Sequence, residues 1–214
     1  NKSQLFSIST TDAKATYLAD MSANNIIDIA IPTNPVAYAV DENNNFQIFN
    51  PTTTAAPINK AITGLGVGES IVGIDFRPVT NQLYGLATTT LGMAKLYSFN
   101  LSTGAATGIG SGFTINTSST QFGFDFNPTV DRIRVVTNSG QNLRLNPNDG
   151  TIAASDANLN PGTPMISGAA YTNNFVGATT TVLYVMDMGK LYKQDPPNNG
   201  TLVEIGSLGI NAES

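Results

Sequence analysis

The chain has 214 residues, only 12% of them charged, and a formal net charge of −5. Cys, His and Trp are absent, which excludes zinc fingers, thiolate nucleophiles and Ser-His-Asp triads and removes the usual general base near neutral pH. Ten Lys and Arg spread along an acidic chain argue against a nucleic-acid surface or a polybasic membrane anchor, and no apolar run reaches spanning length.

In chain order, Leu5-Phe6-Ser7-Ile8-Ser9-Thr10 alternates as a strand and leads through a polar turn into Asp12–Leu18. Asp12 could cap a short helix through Lys14 and Tyr17, but the strand reading is preferred. Next, Ile26–Ala30 and Val36–Val40 form a hairpin around Pro32-Thr33-Asn34-Pro35, and Phe46-Gln47-Ile48-Phe49-Asn50-Pro51 follows. The hairpin Gly73-Ile74-Asp75-Phe76-Arg77-Pro78 to Tyr84 is written again as Gly123-Phe124-Asp125-Phe126-Asn127-Pro128 to Arg134. A fourth version pairs Ser167–Tyr171 with Thr181–Val185, with Ala170 where Asp75 and Asp125 stand.

A second signature, an apolar strand ending in Asn or Asp, recurs at Asn50, Asn100, Asn146 and Asp195, and a Gly-led strand follows it at Gly104, Gly150 and Gly200. The period is about 45–50 residues, with four strands per repeat, which is the signature of a β-propeller blade. The expected architecture is therefore all-β: one domain over residues 1–214, with four-stranded antiparallel blades at approximately 26–66, 71–113, 121–163 and 167–209. Residues 1–24 form an N-terminal extension whose strands, at 3–18, are only the third and fourth of a blade. Such a half-blade leaves an open sheet edge. It is completed by a missing N-terminal stretch, by closure on the same chain, or by strand pairing with a neighbouring molecule.

These stretches resemble a bacterial family catalogued as domain of unknown function 4394. The most specific match is Phe122–Val136, followed by Gly140-Gln141-Asn142-Leu143-Arg144-Leu145-Asn146-Pro147, Gly68–Pro78 and Pro196–Leu202. The resemblance runs from about Ala37 to Leu208. It implies export and a propeller-like repeat domain, and it brings no activity.

Asp75 and Asp125 occupy equivalent places in two blades. As paired carboxylates facing a channel they would hold a cation or work on a glycan; as Asx-turn residues they would fasten their own turns. Arg77, Arg132, Arg134 and Arg144 are the chain's arginines. They would grip an acidic ligand, or Arg132 or Arg134 would pair across strands with Asp125, Asp131 or Asp149. Any bound metal should be a hard cation, with calcium first and Asp41, Glu42 and Asp149 as its weak candidates. Tyr84, Tyr97, Tyr184 and Tyr192 would stack on sugars or, alternating with apolar residues, pack between blades.

A Thr/Asn/Gly-rich, Lys-poor composition leans towards a secreted or cell-surface bacterial protein, and an Asn at position 1 is expected of a chain that is either processed, with a leader removed, or truncated. The expectation is a non-catalytic structural, adhesive or assembly module, with other copies of itself or extracellular glycan or protein as partners. A lectin-like propeller and a carboxylate-dependent glycan-active enzyme are the alternatives.

Overall fold

The computed structural model describes residues 3–22, 25–30, 36–53 and 56–210, without the side chains of Ser22 and Ala30. The expected turn at Pro32–Pro35 lies outside the described residues. Alternating apolar residues bounded by Gly, Asn, Asp and Pro make short strands, and within each sheet every strand pairs with the next in sequence. The first pair is β1 (Ser3–Ile8) with β2 (Ala15–Ser22). Four four-stranded antiparallel sheets follow.

Blade 1 holds β3 (Ile26–Ala30), β4 (Ala37–Asp41), β5 (Asn45–Phe49) and β6 (Ile58–Ala61). Blade 2 holds β7 (Ser70–Arg77), β8 (Gln82–Thr88), β9 (Met93–Phe99) and β10 (Ala106–Thr114). Blade 3 holds β11 (Phe122–Asn127), β12 (Arg132–Thr137), β13 (Asn142–Leu145) and β14 (Ile152–Ser155). Blade 4 holds β15 (Ile166–Tyr171), β16 (Leu183–Asp187), β17 (Lys190–Gln194) and β18 (Leu202–Ser207). The first strands β3, β7, β11 and β15 lie side by side in that order, so the sheets are arranged in a ring as propeller blades. Residues 15–22 are strand, not helix: β2 is held by β1, and the turn between them is fixed by Ala13 at φ 60.

The duplicated hairpin now has a physical reading. An added Cβ on Gly73 would lie 2.4 Å from the Phe124 Cβ, and one on Gly123 would lie 2.6 Å from the Ala169 Cβ. Glycine stands at these places in β7 and β11 because the next blade's first strand comes that close. In the turns, Asn81 (φ 54) and Asp131 (φ 50) take the left-handed conformation that Asn and Asp tolerate best among residues with a side chain.

The core is built between blades rather than within them. Tyr84, Leu86 and Leu96 of blade 2 bury against Phe124, Phe126 and Ile133 of blade 3, with Tyr84 edge-on to Phe126 at 5.3 Å. Phe46 of blade 1 meets Phe99 of blade 2 edge-on at 5.2 Å. Val136 joins Tyr171 and Val185 at the next junction. A blade buries its faces only against neighbours, which is why the pattern must repeat. Tyr84 and Tyr97 are buried, while Tyr184 and Tyr192 are half-buried, with the Tyr192 hydroxyl donating to Asp187 at 2.9 Å.

The β1–β2 pair is docked as a fifth blade. Its turn repeats the third-to-fourth-strand turn of the other blades. The Ser9 N–H donates to Lys14 O and the Ala13 N–H to Ser9 O, as Asn100 does to Ala105 and Gly104 to Asn100, and as Asn146 does to Thr151 and Gly150 to Asn146. Two residues beyond the positive-φ position, a backbone N–H reaches the preceding blade: Ala106 to Thr63 O at 2.7 Å and Leu202 to Asn160 O at 2.7 Å. The Ala15 N–H reaches Leu208 O at 3.3 Å in the same way, and Ala13 is buried against Leu191 and Leu208. So β1 and β2 are the third and fourth strands of a blade that follows blade 4.

Candidate functional site

Three carboxylates run along the first strands. In an extended strand, side chains two residues apart share a face, so Gly73 and Asp75 both face blade 3. Asp75 accepts from its own Phe76 N–H at 2.7 Å and from the Phe126 N–H of blade 3 at 2.8 Å. Asp125 accepts from the Tyr171 N–H of blade 4 at 2.7 Å. In blade 1 the carboxylate stands two residues earlier. Ala30 pairs with Tyr38 as Asp75 pairs with Tyr84, and Asp28 falls where blade 2 has Gly73. Asp28 accepts from Ile29 N–H at 2.8 Å and from Ile74 N–H of blade 2 at 2.7 Å.

Asp75 and Asp125 are therefore not fasteners of their own turns. Each lies inside its strand rather than in the turn and bonds the backbone of the blade that follows. Asp28, which the sequence reading passed over, does the same one junction earlier. Its signal was an acid inside the apolar run Ile26-Ile27-Asp28-Ile29. Blade 4 has Ala170 at this place, so the series stops at the half-blade.

These groups titrate together. Burial pushes Asp28 up to about 7, with the charge of Asp75 adding to it. Burial also raises Asp75 and Asp125, which are hydrogen-bonded to each other, and the charge of Asp75 drives Asp125 further towards the protonated form. One proton between the two carboxyls relieves the repulsion.

The arginines divide between two blade junctions. Arg77 reaches from blade 2 to Asp131 and to Asn148 at 2.9 Å in blade 3, and donates to the Tyr84 hydroxyl at 3.2 Å. Arg134 donates to Asn142 at 2.7 Å, Asp156 at 2.7 Å, Asn198 at 2.8 Å and the Tyr171 hydroxyl at 3.3 Å, tying blade 3 to blade 4. Asp156 also takes both ends of Arg144, at 2.8 and 2.9 Å. Burial raises the Asp156 carboxyl, but hydrogen bonds from Arg144 and Arg134 outweigh it and hold the group below its usual value. The expected pairing of Arg132 or Arg134 with Asp125, Asp131 or Asp149 is not what forms. Arg134 takes Asp156, and Arg132 donates to the Asp131 carbonyl.

The acidic loops satisfy themselves with protein donors. Asp41 accepts from the Asn43 and Asn45 N–H groups, the Asn45 amide and the Gln47 amide. Glu42 accepts from Asn25, and Asp149 accepts from Thr151 and Asn146. Among the described residues no group of three or more acidic side chains is set to hold a metal ion.

A cavity of about 710 Å³ opens beside β1. Leu5, Phe6 and Ile8 line it together with residues of β3, β15 and part of β11, Asp28 and Asp125 among them. The β1–β2 sheet has two strands, so among the described residues the second edge of β1 meets this space where the other blades have a second strand. Ile210, just past β18, also lines it. No helix among the described residues is long and apolar enough to cross a membrane.

Solved structures resemble this chain over most of its length. A structural genomics protein of unknown function from Bacteroides thetaiotaomicron superposes with TM-score 0.52 at 15% identity, over 85% of this chain and 53% of that one. Saccharomyces cerevisiae Sqt1 gives TM-score 0.49 at 14% identity, over 84% and 46%. The computationally designed Ika4 protein gives 0.44 at 9%, over 78% and 89%. The chain thus spans about half the length of the first two. No curated protein matches it. The model of the family described as Domain of unknown function (DUF4394) covers residues 45–214, from the third strand of blade 1 onward, and this chain belongs to that family.

Proposed function

We propose that this propeller is an exported, non-catalytic module that binds or assembles with partners through its half-blade. The observation that carries this reading is the β1–β2 sheet, docked as a fifth blade and, among the described residues, holding two strands beside an apolar-walled cavity. A sheet edge with side-chain pockets beside it is the usual seat for strand addition. A low-charge surface rich in Thr and Asn suits contact with other copies or with polysaccharide by hydrogen bonding.

The carboxylates support this reading more than an enzymatic one. Asp28, Asp75 and Asp125 each bond a backbone N–H of the next blade, and using Asp125 on a substrate would strip Tyr171 of its acceptor. The arginines are likewise committed to Asp131 and Asp156. In light scattering over a concentration series, the intact chain is expected to self-associate or to form a complex with a glycan or protein partner. Leu5→Arg, or removal of residues 1–20, should leave a folded monomer that does neither. An intact chain that stays monomeric at high concentration and binds nothing on a glycan array would overturn the proposal.

A further inference from the structure

We propose that Asp125 is a proton-operated latch on the inner end of blade 4. With its proton in place it joins Asp75 of blade 2 to the Tyr171 N–H of blade 4. Loss of that proton to water releases Tyr171 and the connection from Thr172 to Val182 while the ring stays folded. The latch is independent of the half-blade and of its partners.

The donors decide where the proton sits. Asp75 Oδ1 takes its own Phe76 N–H at 2.7 Å, and Asp75 Oδ2 takes the Phe126 N–H at 2.8 Å. Asp125 Oδ2 takes the Tyr171 N–H at 2.7 Å. What remains is a contact of carboxyl on carboxyl, which is a hydrogen bond only while one of the two is protonated. Asp75 accepts the greater number of backbone N–H groups, and these favour its charged form, so the proton belongs to Asp125. Asp75 is buried, whereas Asp125 is half-buried and is the one able to turn to water.

No cation stands ready to hold the pair once both are charged. The elements around it, β3, β4, β7, β8, β11, β12 and β15, carry no Lys. Arg134 is the cross-strand partner of Asp125, but its guanidinium is committed to Asp156, Asn142, Asn198 and the Tyr171 hydroxyl. Arg77 is committed to Asp131, Asn148 and the Tyr84 hydroxyl, and Arg132 to the Asp131 carbonyl. Asp41 is held in its own turn, and Tyr38 packs edge-on to Phe46 and Phe76. Asp28 is left, and its charge adds to the repulsion. Two carboxylates in contact without a counter-charge part.

What they release is a defined segment. Beyond Tyr171 the chain reaches as far as blade 2, where the Asn174 amide donates to Asp75 Oδ1 at 3.5 Å. The Thr172 N–H donates to Val182 O at 2.9 Å and the Thr181 hydroxyl to Thr172 O at 2.6 Å, so the base of this connection moves as a unit. Its tip carries Phe175 and Val176, both exposed. Arg134 and the core at Val136, Tyr171 and Val185 keep blade 4 docked meanwhile. The proton therefore sets whether an apolar tip is held against blade 2 or freed.

The test is nuclear magnetic resonance on the intact chain from about pH 5 to about pH 9, with carbon detection so that amide exchange erases no signal. The Asp125 carboxyl carbon and the Tyr171 nitrogen should titrate with one midpoint. Across it, backbone order parameters in the segment from Asn173 to Thr180 should fall from about 0.85 to below about 0.6, while β8 and β12 stay rigid. Asp125→Asn keeps a donor for Asp75 and an acceptor for Tyr171, and should hold the segment rigid throughout. The proposal is overturned if the segment has the same order parameters at both ends of the range, or if the Tyr171 nitrogen does not follow the Asp125 carbon. It is also overturned if Asp125→Asn loosens as the parent does, or if β8 and β12 loosen in step with the segment, since the opening is then not local. The readings on the parent decide alone if the variant does not fold.

Discussion

The unfolding free energy of this protein will fall between pH 5 and pH 8, by roughly 3 kcal/mol from Asp28 alone and further from Asp75 and Asp125, measured by urea unfolding at the two pH values. Asp28 is raised to about 7, and Asp75 and Asp125 are raised as well. In the unfolded chain each ionises near 3.8. Between the two values the folded state binds more protons than the unfolded state, so stability falls as pH rises, by about 1.4 kcal/mol per unit for each group that differs. Asp12, Asp149 and Asp156 are lowered, and their contribution is present above the unfolded value and lost below it. Opposing slopes place the stability maximum in mildly acidic solution.

Asp125→Asn separates this account from a general charge effect. Asn keeps an oxygen for the Tyr171 N–H and offers an N–H to Asp75, as the protonated Asp125 does. The variant should flatten the pH dependence and match or exceed the parent at pH 8. Asp125→Ala should instead cost about 1–3 kcal/mol at pH 5, because the buried Tyr171 N–H loses its acceptor. Stability that rises from pH 5 to pH 8 in the parent would contradict the carboxyl series.

The second large effect lies at the junction of blades 3 and 4. Asp156→Ala should destabilise by about 3–5 kcal/mol, because it strands the Arg134 guanidinium, whose side chain is 2% exposed. Arg144→Ala should cost far less, since that side chain is 34% exposed and its pairing is screened. Removing both charges with Arg134→Met and Asp156→Leu should cost less than Asp156→Ala alone, because no unpaired charge remains buried. Equal losses for Asp156→Ala and Arg144→Ala, read from unfolding midpoints at constant slope, would contradict the arrangement.

Much of this architecture was legible in the chain. Strand alternation, the recurring Asn50, Asn100, Asn146 and Asp195, and the twice-written Gly-X-Asp-Phe-X-Pro gave four-stranded repeats, because each feature is local and periodic. What the chain did not disclose was distance between blades. Gly73 reads as a turn residue until Phe124 is seen where its Cβ would be, and Asp125 reads as a turn fastener until its oxygen is found on Tyr171 of the next blade. Asp156 carries no motif and matters because Arg134 and Arg144, cross-strand neighbours in β12 and β13, need a shared counter-charge. Ala13 departs from the Gly found at the matching turns, and its methyl group is buried against Leu191 and Leu208.

The account stands on the half-blade being docked on blade 4 of its own chain, and a cysteine-free protein allows a clean test. A Cβ built on Gly206 lies 3.5 Å from the Ala13 Cβ, within the roughly 3.5–4.5 Å that a disulfide requires. The double variant Ala13→Cys, Gly206→Cys should oxidise to an intramolecular disulfide in dilute solution and run as a monomer on a non-reducing gel. Thiols that stay free, or covalent dimers in place of monomers, would show that residues 3–22 do not sit on blade 4 of the same molecule.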